Sequence, residues 1–126
     1  MTGWTFSRVF CVVLAAVLGV RSLSTLIAGA DFGVPGAGWR SVWQLIMLAI
    51  LAIGIVNARW TTRVMVAVAA VYLMATISEV VDTTTLVGIV PVDMRDRYLH
   101  PLFAVVAAAC AVIDRVRRHV AAPSVR

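Results

Sequence analysis

Apolar residues run through this chain in four long blocks, parted by short stretches where Gly, Pro and charged residues gather. Val9 to Gly29 is broken only at Arg21, Val42 to Val56 only at Gln44, Val64 to Val81 carries Glu79 near its end, and Leu99 to Ile113 completes the set. With flanking Trp, Tyr and Arg as interfacial anchors, each block can cross the roughly 30 Å hydrocarbon layer as a helix of about 20 residues. The predicted spans lie at about 8–29, 41–57, 63–83 and 98–114, within one domain covering 1–126. The expected fold is therefore all-α: a polytopic membrane protein built as a four-transmembrane-helix bundle. The stretches GADFGVPGAGWR and VGIVPVDMRDRYLHP carry turn signals. NARWTTR, between the second and third spans, is short enough to make them a tight antiparallel hairpin.

A chain that is 62% hydrophobic and 13% charged lies outside the composition of soluble domains, so the lipid bilayer is its first partner. Eleven basic residues against six acidic ones could point to nucleic acid, but their distribution points to topology instead. Arg8, Arg59, Arg63, Arg115, Arg117, Arg118 and Arg126 fall on one side of the four spans, and Arg40, Arg95 and Arg97 on the other. The positive-inside rule then sets both termini and the middle loop in the cytoplasm of a bacterial plasma membrane. Trp4 and Trp60 fall at the inner interface, and Trp39, Trp43 and Tyr98 at the outer one. Arg117, Arg118 and His119 read as a topology anchor touching anionic lipid, with no nucleic-acid partner. Ala28-Gly29-Ala30 resembles a leader-cleavage site, but the apolar core ends at Val20 and Arg21 intervenes, so the segment reads as a permanent span.

A weak internal repeat is visible. Val34-Pro35 and Val90-Pro91 follow the first and third spans, and nine residues beyond each proline stand Gln44 and His100. That pattern suggests two duplicated helical hairpins.

The stretch GIVPVDMRDRYLHPLFAVVAAA resembles the closing signature of small four-helix bacterial membrane proteins of the DoxX-like kind, a largely uncharacterised family. There an outer loop with a Pro and an Asp leads into a Leu-His pair opening the last helix, a pattern met here by Pro91, Asp96, Leu99 and His100. Gln44 stands where the second span of such proteins often opens with a His. The resemblance implies a four-helix bundle and, for a few relatives, a role as membrane partner of a redox enzyme.

Depth arithmetic gathers the polar residues into one layer. Arg21 lies roughly 20 Å up from Arg8, and Glu79 roughly 22 Å up from Val64, at 1.5 Å per residue. Gln44 and His100, entering from the other side just past Arg40 and Arg97, come to roughly 24 to 25 Å above the inner face. Tyr72, Thr76, Glu79 and Thr83 recur at helical spacing and share a face, with Asp82 beside it. An ionised group facing lipid costs a few kcal/mol, so this face should point inward, with Arg21 as the expected partner of Glu79 and Asp82. His100, followed by Pro101, reads on its own as a neutral capping or interfacial residue.

Little else carries chemistry. Cys11 and Cys110 have no metal-type spacing around them, and no E-x-x-H pair, nucleophile elbow, P-loop or dinucleotide fingerprint is present. The expectation is a non-enzymatic membrane protein with no cofactor and no metal. It would work by helix association, as a homo-oligomer or an accessory subunit of a larger membrane complex. The alternative is a binding or transport module in which Arg21, Gln44, Glu79, Asp82 and His100 receive a proton, a cation or a small amphiphile such as a quinone.

Reporter fusions after Arg126 and within Asn57 to Arg63 should therefore report cytoplasm. Cysteines placed at Gly36 or Met94 should react with impermeant reagents added from outside, and the inverse labelling pattern would reverse the topology.

Overall fold

Thr5 starts the first helix: its hydroxyl accepts a hydrogen bond from the Arg8 amide at 3.2 Å, supplying one of the acceptors that a helix N-terminus lacks. The computed structural model describes residues 4–121, and within them α1 spans Phe6–Ile27, α2 Gly38–Val56, α3 Thr61–Val81 and α4 Asp96–Ala121. All four are long and apolar enough to cross a membrane, so the chain is a small multi-pass integral membrane protein with the expected four-helix fold. The last helix runs well past residue 114. Its extra turns carry Arg115, Arg117 and Arg118, and Arg118 donates from Nη2 to the Thr62 hydroxyl at 2.6 Å.

α1 packs mainly on α2, and α3 on α4, as two antiparallel hairpins. α1 also meets α3 across the short diagonal of the bundle, while α2 and α4 face each other across the long diagonal without close backbone contact. Lipid tails are as apolar as a protein core, so these helices are held by close packing rather than by escape from water. Small residues make that closeness available. α4 turns Ala104, Ala107 and Ala111 inward, and Gly54 of α2 leaves room where a Cβ would stand 3.1 Å from Cys11 Sγ and from Val64 Cγ1. Cys11, Leu14, Leu18, Met47, Leu51, Met65 and Val68 fill the centre, whereas Val13, Val20, Leu73, Met74, Val105 and Val112 face outward to lipid.

At the end that holds the start of α1 and the end of α4, the buried Asp114 carboxylate accepts from the Phe6 amide at 3.2 Å and the Ser7 amide at 2.9 Å. Arg8 donates to the Ile55 carbonyl at 3.0 Å, and Arg8, Arg63 and Arg117 lie over the rings of Trp4, Trp60 and Phe6. This collar of arginines on aromatic rings suits a headgroup region.

The opposite end differs from a simple duplication. The loop after α3 forms a two-stranded antiparallel ribbon, β1 (Thr85–Leu86) with β2 (Val90–Pro91), whereas the loop after α1 consists of turns. The two loops at this end therefore do not fold alike: the second forms a strand ladder, whereas the first closes through turn bonds, the Gly38 amide donating to the Asp31 carbonyl at 3.1 Å and the Ala37 amide to the Val34 carbonyl at 3.2 Å. That turn forces Val87 to φ 53, a left-handed conformation that a β-branched side chain rarely adopts, and its amide donates to Ser78 Oγ at 3.0 Å.

Asp82 and Thr83 also depart from the expected inward face, because α3 ends at Val81. Asp82 closes the turn beyond it, accepting from the Thr84 hydroxyl at 2.7 Å, the Thr85 hydroxyl at 2.5 Å and the Thr84 amide at 2.9 Å. Those bonds, the Thr84 hydroxyl foremost, hold its carboxyl well below the usual carboxylate range.

Asp114→Ala strips the two amides of their shared acceptor and should lower the stability of the detergent-solubilised protein by about 2–3 kcal/mol. Asp114→Asn, which keeps one side-chain oxygen, should lose less. Thermal unfolding checks the order.

Candidate functional site

α2 and α4 each bring a polar pair to the same end of the bundle at a spacing of four residues: Arg40 with Gln44, and Asp96 with His100. Residues so spaced stand one turn apart on one helix face. All four are buried. The long diagonal leaves a gap that small apolar side chains would not bridge, and these longer polar ones occupy it.

The outer rung is an ion pair. Arg40 Nη2 donates to Asp96 Oδ1, while Nη1 reaches the Gly36 carbonyl at 3.5 Å and lies 3.8 Å from Asp93 Oδ2. Gly36 is required there twice over. Its φ is +78, and a Cβ would stand 2.9 Å from Arg40 Nη1. Asp96 accepts in addition from the Asp93 amide at 3.3 Å, so both outer loops are fastened to one guanidinium–carboxylate contact.

One turn further in, His100 Nδ1 lies 2.5 Å from Glu79 Oε1. Nδ1–H donates to the carboxylate when Glu79 is ionised. Tyr72 flanks the imidazole at 5.4 Å between ring centroids and meets Phe103 at 5.2 Å, closing the pair off from lipid.

Between these rungs and α1 lies a cavity of about 50 Å³, lined by Leu18, Arg21, Trp43, Gln44, Tyr72 and His100 among others. A water molecule's share of liquid volume is about 30 Å³, so one or two water-sized groups fit. Gln44 Oε1, Trp43 Nε1 and Glu79 Oε2 are buried and have no hydrogen-bond partner among the described residues. A buried polar atom left unpaired typically costs about 1–3 kcal/mol. The layer thus offers one N–H donor and two oxygen acceptors beside an imidazole already committed to Glu79.

Of the five residues singled out in the sequence, Arg21, Gln44 and His100 line this cavity and Glu79 joins it through His100. Asp82 does not belong, being tied into its own turn at the surface. Nor is Arg21 the partner of Glu79: among the described residues it makes no ion pair within 4 Å, and Glu79 is paired with His100 instead. The fourth helix, entering beside α3, brings an imidazole closer to Glu79 than the guanidinium on α1. His100 is buried in the polar layer with Glu79 as its partner, rather than free as a helix cap.

Arg40, Asp96 and Trp43 are the residues that sequence reasoning missed. An Arg and a Trp at a span boundary read as interfacial anchors, which hid both. The signal was nonetheless present, since Arg40 precedes Gln44 by the same four residues as Asp96 precedes His100. Among the described residues, no group of three or more His, Cys, Asp or Glu is placed to hold a metal ion. Cys11 and Cys110 are free thiols.

Removing one partner of a buried ion pair leaves an uncompensated charge and typically costs about 3–5 kcal/mol. Arg40→Met should therefore lower the thermal stability of the solubilised protein by about that amount, and Asp96→Asn in the same chain should restore part of it. Arg21→Gln, which breaks no ion pair among the described residues, should cost less than Arg40→Met. The reverse order of the two arginines would reinstate Arg21 as the structural cation. Comparison with protein families, curated proteins and solved structures finds no match, so the role of the site rests on its chemistry.

Proposed function

We propose that this chain is a membrane-embedded binding module whose polar layer receives the uncharged, hydrogen-bonding head of a lipid-soluble molecule. One observation carries the reading: in a layer where Arg40 is paired with Asp96 and His100 with Glu79, Trp43 Nε1, Gln44 Oε1 and Glu79 Oε2 are buried without partners. A resting water can serve some of them, and a ligand head that offers both a donor and an acceptor can replace it. A cationic head is disfavoured, because Arg21 lines the same cavity and the carboxylates of the layer already have partners.

Action by helix association alone is less well supported. It needs only an apolar outer surface, which every multi-pass protein has, and it leaves the unpaired atoms without a purpose. Self-association or docking into a larger membrane complex would use the outward faces and leave this layer free. For orientation, we infer that the arginine collar faces the cytoplasm, which sets the polar layer in the outer leaflet.

The test is to purify the parent and Gln44→Leu in a mild detergent and extract and weigh what each retains. The parent should carry a small lipid-soluble molecule in near-stoichiometric amount. Gln44→Leu, with one acceptor removed and side-chain volume nearly kept, should lose at least nine-tenths of it while melting no lower than the parent. Identical retention by both would overturn the reading.

A further inference from the structure

On the far side of Trp43 from the polar cavity, the outer halves of α2 and α3 part to leave a lipid-facing groove. It has a volume of about 480 Å³ and is lined by Trp43, Ala70, Val71, Met74, Ala75 and Leu86 among others. That volume is in the range of small-molecule sites. A second apolar hollow of about 210 Å³ continues it along α2, past Trp39, Val42 and Ile46, and shares Trp43, Leu86 and Val87 with it. Ser78, which lines the main groove, is the acceptor for the Val87 amide.

The wall between groove and polar layer is thin. Trp43 lines both apolar hollows and the polar cavity. Leu86, on the first strand of the ribbon, is 4% exposed, although its neighbours Val87 and Gly88 are exposed. A crevice of only about 10 Å³ runs behind it, bounded by Trp43 and Leu86 on one side and by Arg40, Asp96 and His100 on the other. Removing the Leu86 side chain from this position would join the groove to the polar layer. The ribbon that holds Leu86 there contains the strained Val87, a conformation that costs of order 1–3 kcal/mol and persists only where its surroundings enforce it.

We propose that the occupant of this groove is a single-chain lipid alcohol: the hydrocarbon tail lies between α2 and α3, and the hydroxyl passes Leu86 and Trp43 to reach the unpaired atoms of the polar layer. The inference rests on the binding reading above and adds the ligand class and its route. Two features commit it to an alcohol. The unpaired atoms are one donor and two acceptors, which a hydroxyl serves from both sides by accepting from Trp43 Nε1 and donating to Gln44 Oε1 or Glu79 Oε2. The polar groups beside the route already have partners, Arg40 with Asp96 and His100 with Glu79, so a carboxylate or ammonium head meets no free counter-charge along it. The remaining cation, Arg21, lines the polar cavity but not the groove or the crevice, so tighter retention of stearate than of octadecanol would mark Arg21 as the partner of the head and overturn the alcohol assignment.

Native mass spectrometry of the detergent-solubilised protein with added octadecanol, stearate or methyl octadecyl ether tests each part. The parent should retain one octadecanol per chain, at least tenfold more tightly than the ether, which cannot donate, or stearate, which is charged. Ala70→Phe fills the groove from an exposed position, which leaves the interior intact, and should weaken octadecanol retention at least tenfold. Leu86→Ala should speed uptake several-fold, and Val112→Phe, on the lipid-facing side of α4 and away from the groove, should leave retention within twofold of the parent. Equal retention of the three probes would mean an ordinary lipid contact and overturn the alcohol assignment. Undiminished binding by Ala70→Phe, or an equal loss on Val112→Phe, would overturn the route while the polar site stood. Octadecanol retention by the parent that Gln44→Leu leaves unchanged would remove the site itself.

Discussion

The contact between Arg40 and Asp96 sets the geometry of the outer half of this bundle. Four helices that pack pairwise leave one diagonal wide, and here that diagonal separates α2 from α4. An apolar filling would need large side chains on both helices, whereas α4 turns mostly alanines inward. The guanidinium spans the gap, and because it also engages Gly36 and Asp93 it positions the two outer loops against each other. In a medium of low polarity such a pair is held by the cost of separating it more than by any net gain on forming it. The spacing of α2 and α4 at this end is therefore well defined even though their backbones do not touch.

Everything one turn deeper depends on that spacing. Glu79 has a buried partner because His100 is delivered beside it, and His100 is delivered by the same helix turn that begins with Asp96. Tyr72 and Phe103 then exclude lipid from the pair. The polar layer combines fully satisfied groups with a few unsatisfied ones, and a polar interior of that kind is stable only where its vacant bonds are filled by water or a ligand.

The sequence made the four helices legible, because uninterrupted apolar length is a signal that no soluble context imitates. It also made legible the common depth of Gln44 and His100, since helix rise converts position into height. Partnership was harder to read. Depth arithmetic ranks residues along the membrane normal and carries no information about which helices are neighbours, so Arg21 and Glu79 were matched by height although α4 delivers a nearer group. The end of α3 was misplaced by the same kind of reasoning. Asp82 continues an inward-facing spacing on paper, yet Asp82 with Thr84 and Thr85 offers the backbone a local bonding scheme that competes with another helical turn. Arg40 and Trp43 were concealed by an ambiguity of composition, since the residues that anchor a helix at an interface are also those able to close a wide gap.

The carboxylate that caps the first helix has a consequence for assembly in the membrane. Asp114 reaches the Ser7 amide across 107 positions of chain, so the start of α1 obtains its acceptor only after α4 has entered the bilayer. A protein inserted span by span would hold its first helix capped by Thr5 alone, with the Phe6 and Ser7 amides lacking their carboxylate, until α4 arrived. The fourth span thereby completes the start of the first.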